Sequence, residues 1–180
     1  MKMKYSLFYM MAIILMNFCI TSTSARGEHV FSPEDFLRGD IVVRSKWQFK
    51  QKAVPKKQYY VFYMGAKWCP PCHQFTKKLR AFYEEAQLRG HNFEVFYVSL
   101  DRTKEDMLAY MRSAKMPWPA IAYKKSGKTF VLSEMLGRAP PALLIMDRKG
   151  NVLISSYKDG VLAPPGGALQ DFARLLDKNS

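Results

Sequence analysis

The stretch "QYYVFYMGAKWCPPCHQF", Gln58 to Phe75, decides how the chain folds. Its first eight residues are aromatic and β-branched, and continuous enough to form a strand buried on both faces. Directly after them comes Cys69-Pro70-Pro71-Cys72-His73. Two cysteines separated by two residues form a redox pair in one setting, whereas C-x-x-C-H attaches a c-type haem in another. The chain on either side discriminates between these chemistries.

Downstream, Phe75, Leu79, Phe82, Tyr83 and Ala86 recur with helical spacing and define one apolar face of a helix running to about Leu88 and stopped by Gly90. "NFEVFYVSL", Asn92 to Leu100, is a second buried strand. Thr103 and Asp106 resemble a capping box with Asp in place of Glu, opening a helix whose Met107, Leu108, Met111 and Ala114 point inward. Pro117 and Pro119 end it. "TFVLSEML" reads as a short helix. "PALLIMDRKGNVLISS" reads as two antiparallel strands joined by a turn at Arg148 to Asn151. After a flexible "APPGG", Leu169, Phe172 and Leu176 mark a last helix. Upstream, Ser32 and Pro33 have the character of an N-cap and first helical residue, and "DIVVRSKWQF" contains a short strand. This order implies an α/β domain with a mixed central sheet flanked by helices. The chain has no internal repeat and no low-complexity tract.

The beginning of the chain, "MKMKYSLFYMMAIILMNFCITSTSARGEHV", has Lys2 and Lys4, an apolar run from Leu7 to Ile20, then small residues. That is the layout of a secretory signal peptide cleaved after Ala25, with Thr23 and Ala25 at the small −3 and −1 positions. A retained membrane anchor is the alternative. The apolar run is shorter than the roughly 20 residues that span a bilayer, so no stable membrane span is expected in the mature chain. The expected organisation is a signal peptide over 1–25, an N-terminal extension with a short helix and strand over 26–57, and one domain over 58–180. The periplasm is the expected compartment, with secretion or a secretory lumen as alternatives.

Removing 25 of the 180 residues takes Cys19 with it and leaves only Cys69 and Cys72. A disulfide closing so short a loop restrains the unfolded chain little, which argues against a stapling role. The formal charge of +13 falls to about +11 with the loss of Lys2 and Lys4. The lysines, among them Lys50, Lys52, Lys56, Lys57, Lys77, Lys78, Lys124 and Lys125, are scattered without a recognition motif. No nucleic-acid partner is expected.

Lying between a buried strand and an amphipathic helix, the pair occupies the sheet edge where α/β proteins place reactive groups. That context favours a redox dithiol. Zinc needs about four ligands, and only His29, His73 and His91 accompany the thiols. Haem attachment, metal ligation and inert thiols remain the other readings. Cys69 is expected at the start of the helix opened by Pro70 and Pro71, where free N–H groups and the helix dipole favour a thiolate. Lys67 and protonated His73 are candidates to add to that stabilisation. Cys69 is the expected nucleophile and Cys72, one turn inward, the resolver. Trp68 offers an apolar plate beside the reactive sulfur.

"KWCPPC" after the strand "YVFYM", with "MPWPAI" and "PPALLIMDRKGNVL" downstream, resembles the thioredoxin superfamily, and within it the tryparedoxin and nucleoredoxin branch. The resemblance implies a thioredoxin-like fold from about Gln58 onward. It also implies a cis-proline facing the cysteines, which matches Pro141, with Pro140 as the alternative one residue earlier. The residue before the cis-proline offers its backbone to substrate as an added strand; here that residue is Pro140, which has no N–H. Trp118, within the Met116-Pro117-Trp118 segment, is implied at the substrate rim. Six residues before the first cysteine, where thioredoxins carry a buried acid, this chain has Tyr63.

The function expected from these residues is an exported thiol–disulfide oxidoreductase that reduces or isomerises protein disulfides. Its partners would be protein dithiols or disulfides and an upstream redox protein, and its redox-active disulfide would serve in place of a cofactor. The alternatives are a dithiol oxidase that donates disulfides to exported proteins, and a non-catalytic binding or haem-carrying protein built on the same scaffold.

Overall fold

The computed structural model describes residues 31–39, 41–45, 48–51, 53–123 and 127–179. The expected signal peptide, His29, Lys52, Lys124 and Lys125 lie outside these residues. In chain order the elements are α1 (Pro33–Leu37), β1 (Ile41–Ser45), β2 (Gln48–Gln51), β3 (Tyr59–Gly65), α2 (Pro70–Leu88), β4 (Phe93–Ser99), α3 (Lys104–Ser113), β5 (Ala120–Ile121) and α4 (Lys128–Met135), followed by β6 (Ala142–Asp147), β7 (Val152–Ser155), β8 (Tyr157–Lys158), β9 (Val161–Leu162) and α5 (Pro165–Lys178). Among the described residues no helix is long and apolar enough to cross a membrane.

Seven strands form one mixed sheet in the order β2-β1-β5-β4-β3-β6-β7. The central strand β3 runs parallel to β4 and antiparallel to β6. All seven of its residues are buried. Successive strand side chains point to opposite faces, and the two packed clusters show the consequence. Tyr59, Val61 and Tyr63 join Phe75, Leu79, Met107, Tyr110, Phe172 and Leu176, from α2, α3 and α5. Tyr60, Phe62 and Met64 join Leu37, Leu132 and Leu136 on the other face. A strand covered on both sides has no polar position to spare, which is why "YYVFYM" reads as one apolar run.

The segment before β3 is integral to the sheet. β1 pairs antiparallel with β5 through Ile41–Ile121 and Val42–Ala120. Tyr60 reaches out of β3 to bond α1: its hydroxyl lies 2.8 Å from Glu34 Oε1 and 3.1 Å from the Pro55 carbonyl. Burial pushes that hydroxyl up to about 12, so it stays a protonated donor.

Where one short strand is expected in "DIVVRSKWQF" the structure pairs β1 with β2, the break after α3 contains the two-residue β5, and the C-terminal part differs at two further places. The last helix begins at Pro165, so Gly166 and Gly167 form its first turn rather than a flexible lead-in; Pro165 pre-sets the helical φ and overrides the weak glycines. The β8–β9 hairpin was not anticipated, although Asp159 and Gly160, with φ of 52° and 80°, form its turn. "YKDGVL" carries the Asp-Gly signal for such a turn in only two residues per strand.

The β6–β7 turn holds the N-terminal segment. Asp147 Oδ1 accepts from the backbone N–H groups of Lys149 and Asn151 at 2.8 and 2.9 Å, which shapes the loop. Gly150, at φ +88°, lies so close to Phe31 that a Cβ would stand 1.7 Å from the Phe31 carbonyl oxygen. Gly150→Ala combines a left-handed backbone with a backbone collision, so a loss of at least about 2 kcal/mol is expected in urea denaturation. An unchanged midpoint would show that Phe31 does not sit on the turn.

Candidate active site

Strand β3 ends at Gly65 and helix α2 starts at Pro70, so the intervening residues cap the helix. Cys69 is the N-cap, in extended backbone, and its Sγ accepts the backbone N–H of Cys72 at 3.3 Å. Pro70 and Pro71 occupy the first helical positions, where a missing N–H costs nothing. Cys69 and Cys72 are disulfide-bonded with Cα atoms 5.3 Å apart. Cys69 is 4% exposed and Cys72 fully buried, so only Cys69 is open to a partner. In the reduced state the capping N–H and the helix dipole act on the Cys69 sulfur and favour its thiolate.

The β4–α3 connection brackets this loop. Asp101 is 4% exposed, and its Oδ1 accepts the Lys67 backbone N–H at 2.8 Å. Trp68 donates its indole N–H to the Leu100 carbonyl at 3.3 Å and leaves its ring 58% exposed beside Cys69. Thr103 caps α3 by accepting the Asp106 N–H at 3.1 Å. The Asp106 carboxylate accepts from the Thr103 hydroxyl at 2.8 Å rather than reaching the cap's backbone N–H.

Lys67 and His73, expected to support the thiolate, are engaged elsewhere. Lys67 Nζ pairs with Asp106 Oδ1 at 2.9 Å, and that hydrogen bond draws the Asp106 carboxyl below its ordinary range. His73 donates Nε2–H to the Lys67 carbonyl at 2.7 Å and packs on the Tyr110 ring at 4.8 Å. Trp118 requires a correction. It is 1% exposed, packed edge-on to Tyr63 and Tyr83. Its two flanking prolines turn the chain so that the indole enters the core rather than the substrate rim.

The Pro140–Pro141 peptide bond is cis. The register Met64–Ala142 brings both prolines to the sheet edge that carries the cysteine loop. Pro140 offers no N–H there, so an incoming strand would lack one hydrogen bond on this side.

Beneath Cys72 lies a buried hydroxyl chain that the sequence did not disclose. Tyr63 donates its hydroxyl to the Cys72 carbonyl at 3.3 Å, and lies 2.7 Å from Thr76 Oγ1, which is 2.8 Å from the Tyr110 hydroxyl. Each hydroxyl has one proton. With Tyr63's proton on Cys72 O, Thr76 donates to Tyr63 and Tyr110 to Thr76, so all three dipoles point toward the turn that holds Cys72. Burial raises the Tyr63 hydroxyl well above its usual range, and Tyr110 moves the same way. Both are donors, not bases. Gly65 makes room, since a Cβ there would lie 2.8 Å from the Tyr63 hydroxyl.

Thr76 was hidden because it sits one turn after Cys72 on a helix read for its apolar face. Asp101 had a visible signal, an acid at the end of a buried strand beside the active strand. Cys72 has no access to an external electrophile, and the two sulfurs are bonded to each other, so this arrangement suits disulfide exchange rather than thioether attachment of a haem. Among the described residues no group of His, Cys, Asp and Glu is arranged to hold a metal ion.

The thioredoxin-like family profile matches residues 57–152. The nucleoredoxin of Xenopus laevis is 32% identical over 122 residues, which are 67% of this chain and 29% of that protein. The tryparedoxin of Trypanosoma brucei brucei is 32% identical over 108 residues, 59% of this chain and 73% of that one. The solved tryparedoxin II from C. fasciculata superposes with a TM-score of 0.57 at 30% identity, covering 68% of this chain and 84% of its own. The chain belongs to the thioredoxin-like family. It spans under a third of the nucleoredoxin it matches.

Tyr63→Phe keeps the ring and removes the last donor of the chain. Stopped-flow measurement is expected to show the step in which Cys72 displaces the substrate from Cys69 slowed by about tenfold relative to alkylation of Cys69, the size of one hydrogen bond of about 1.4 kcal/mol. Equal slowing of both steps would assign Tyr63 a purely structural part.

Proposed function

We propose that this protein is an exported thiol–disulfide oxidoreductase that reduces or isomerises protein disulfides through Cys69 and Cys72. The reading rests on one observation: Cys69 caps α2 with a small part, 4%, of its surface open beside an exposed Trp68, while Cys72 is wholly buried behind it. An attacking sulfur and a protected resolving sulfur are what the two halves of the exchange require.

In the reduced protein the Cys69 thiolate attacks one sulfur of a substrate disulfide, forming a mixed disulfide and expelling the other substrate sulfur as a thiolate. Cys72 then loses its proton and attacks Cys69 Sγ. The Cys69–Cys72 bond forms, and the second substrate sulfur leaves and takes up a proton. Two electrons pass to the substrate, and a separate redox protein must return them to the disulfide. Isomerisation differs only in that a substrate thiol, not Cys72, resolves the mixed disulfide.

Export rests on Lys2, Lys4, the apolar run Leu7–Ile20 and the small residues Thr23 and Ala25. Mass spectrometry of the protein from an expressing cell is expected to show an N-terminus at Arg26; a chain retaining Met1 in the cytosol would contradict export.

The exchange is tested by trapping. Cys72→Ala is expected to accumulate a mixed disulfide between Cys69 and a substrate protein, visible on non-reducing gels and released by dithiothreitol, while Cys69→Ala abolishes both the adduct and turnover. Turnover retained by Cys69→Ala would overturn the assignment of the nucleophile.

A further inference from the structure

A recess of about 480 Å³ opens beside Trp68, walled by Lys67, Trp68, Asp101, Arg102 and Asp106. Four of these residues are charged; Lys67 and Asp106 pair with one another, and Asp101 is buried and held by neutral donors. Asp101 Oδ1 holds the Lys67 backbone N–H, and its Oδ2 accepts from the Ser99 hydroxyl at 2.9 Å and from Tyr97 at 3.4 Å. The Asp106 carboxylate and the Lys67 ammonium neutralise one another, with the Thr103 hydroxyl on the second carboxylate oxygen. Arg102 is left. Its side chain is exposed and, among the described residues, its guanidinium enters no hydrogen bond or ion pair. Its backbone is nonetheless fixed, because Tyr123 donates its hydroxyl to the Arg102 carbonyl. Two residues on, exposed Lys104 likewise has no ion pair among the described residues.

Resting on the exchange reading above, we propose that Arg102 makes this recess a carboxylate-binding subsite, selecting protein substrates that carry Asp or Glu beside the cysteine attacked by Cys69. A guanidinium is a planar fork of donors matched to a carboxylate. The open face of Trp68, next to Cys69 in the chain, covers the apolar stem of the same residue. A group seated here lies beside Trp68, the residue that precedes Cys69 in the chain. An incoming lysine or arginine would find no exposed unpaired acid, since Asp101 is 4% exposed and Asp106 is paired with Lys67. The pairing is exposed, so it discriminates by a modest factor and weakens with salt.

The test uses the mature, reduced protein and three disulfide peptides of one length that differ at the residue following the cysteine: Glu, Gln or Lys. Single-turnover rate constants are expected to fall in the order Glu, Gln, Lys, with about a tenfold span at ~0.01 M salt that closes at ~1 M, where the screening length drops from about 30 to about 3 Å. Arg102→Glu inverts the ratio of the Glu and Lys rates, a change that loss of packing alone would not produce. Equal rates for the three peptides in the native protein, or a ratio unmoved by Arg102→Glu, overturns the subsite and leaves the exchange reading intact. No reaction with any of the three overturns the exchange reading itself, and the subsite with it.

Discussion

The whole arrangement depends on one junction: β3 must stop and α2 must start with Cys69 as the cap. A strand buried on both faces delivers the chain to the edge of the sheet, and the first turn of the helix leaves its backbone N–H groups without intrahelical partners. One of them, on Cys72, is satisfied by the Cys69 sulfur at 3.3 Å. The polar requirement of the helix end and the chemical requirement of the nucleophile are met by the same contact. Moving Cys69 by one residue would leave the N–H unpaired and the sulfur without its donor.

Everything around the junction fixes it in place. From one side, Asp101 and the Leu100 carbonyl hold Lys67 and Trp68 by their N–H groups. From below, Tyr63, Thr76 and Tyr110 present three aligned hydroxyls to the turn that carries Cys72. Where thioredoxins carry a buried acid, this chain substitutes neutral donors whose burial keeps them protonated. Tyr63 donates to the Cys72 carbonyl and not to its sulfur, and a hydroxyl held protonated accepts no proton, so the proton of Cys72 leaves by another route.

Much of this was legible in the sequence because the controlling signals are local. The apolar run Tyr59–Gly65, the helical spacing from Phe75 to Ala86 and the prolines after Cys69 each state their structure within one element. Thr103 and Asp106 gave the start of α3 for the same reason. The misses are tertiary. Trp118 sits in a proline-rich break that gives no sign of which way the indole turns, and the fold closes over it. Lys67 and His73 look available to the thiolate until Asp106 and the Lys67 carbonyl, set by packing, engage them. Thr76 and Tyr110 lie 34 residues apart, and nothing short of the fold brings them together. β8 and β9 are too short for alternation to register, although their Asp-Gly turn was in plain view.

The central proposal is that Cys69 and Cys72 form one reversible two-electron couple that reduces protein disulfides. Equilibrating the chain from Arg26 to Ser180 across ratios of reduced to oxidised dithiothreitol and glutathione, then alkylating and weighing the products, tests it directly. A single cooperative transition near about −250 mV is the predicted result, with both cysteines alkylated or neither. A transition near about −120 mV would contradict the reducing direction, and cysteines that alkylate independently of each other would contradict the couple itself.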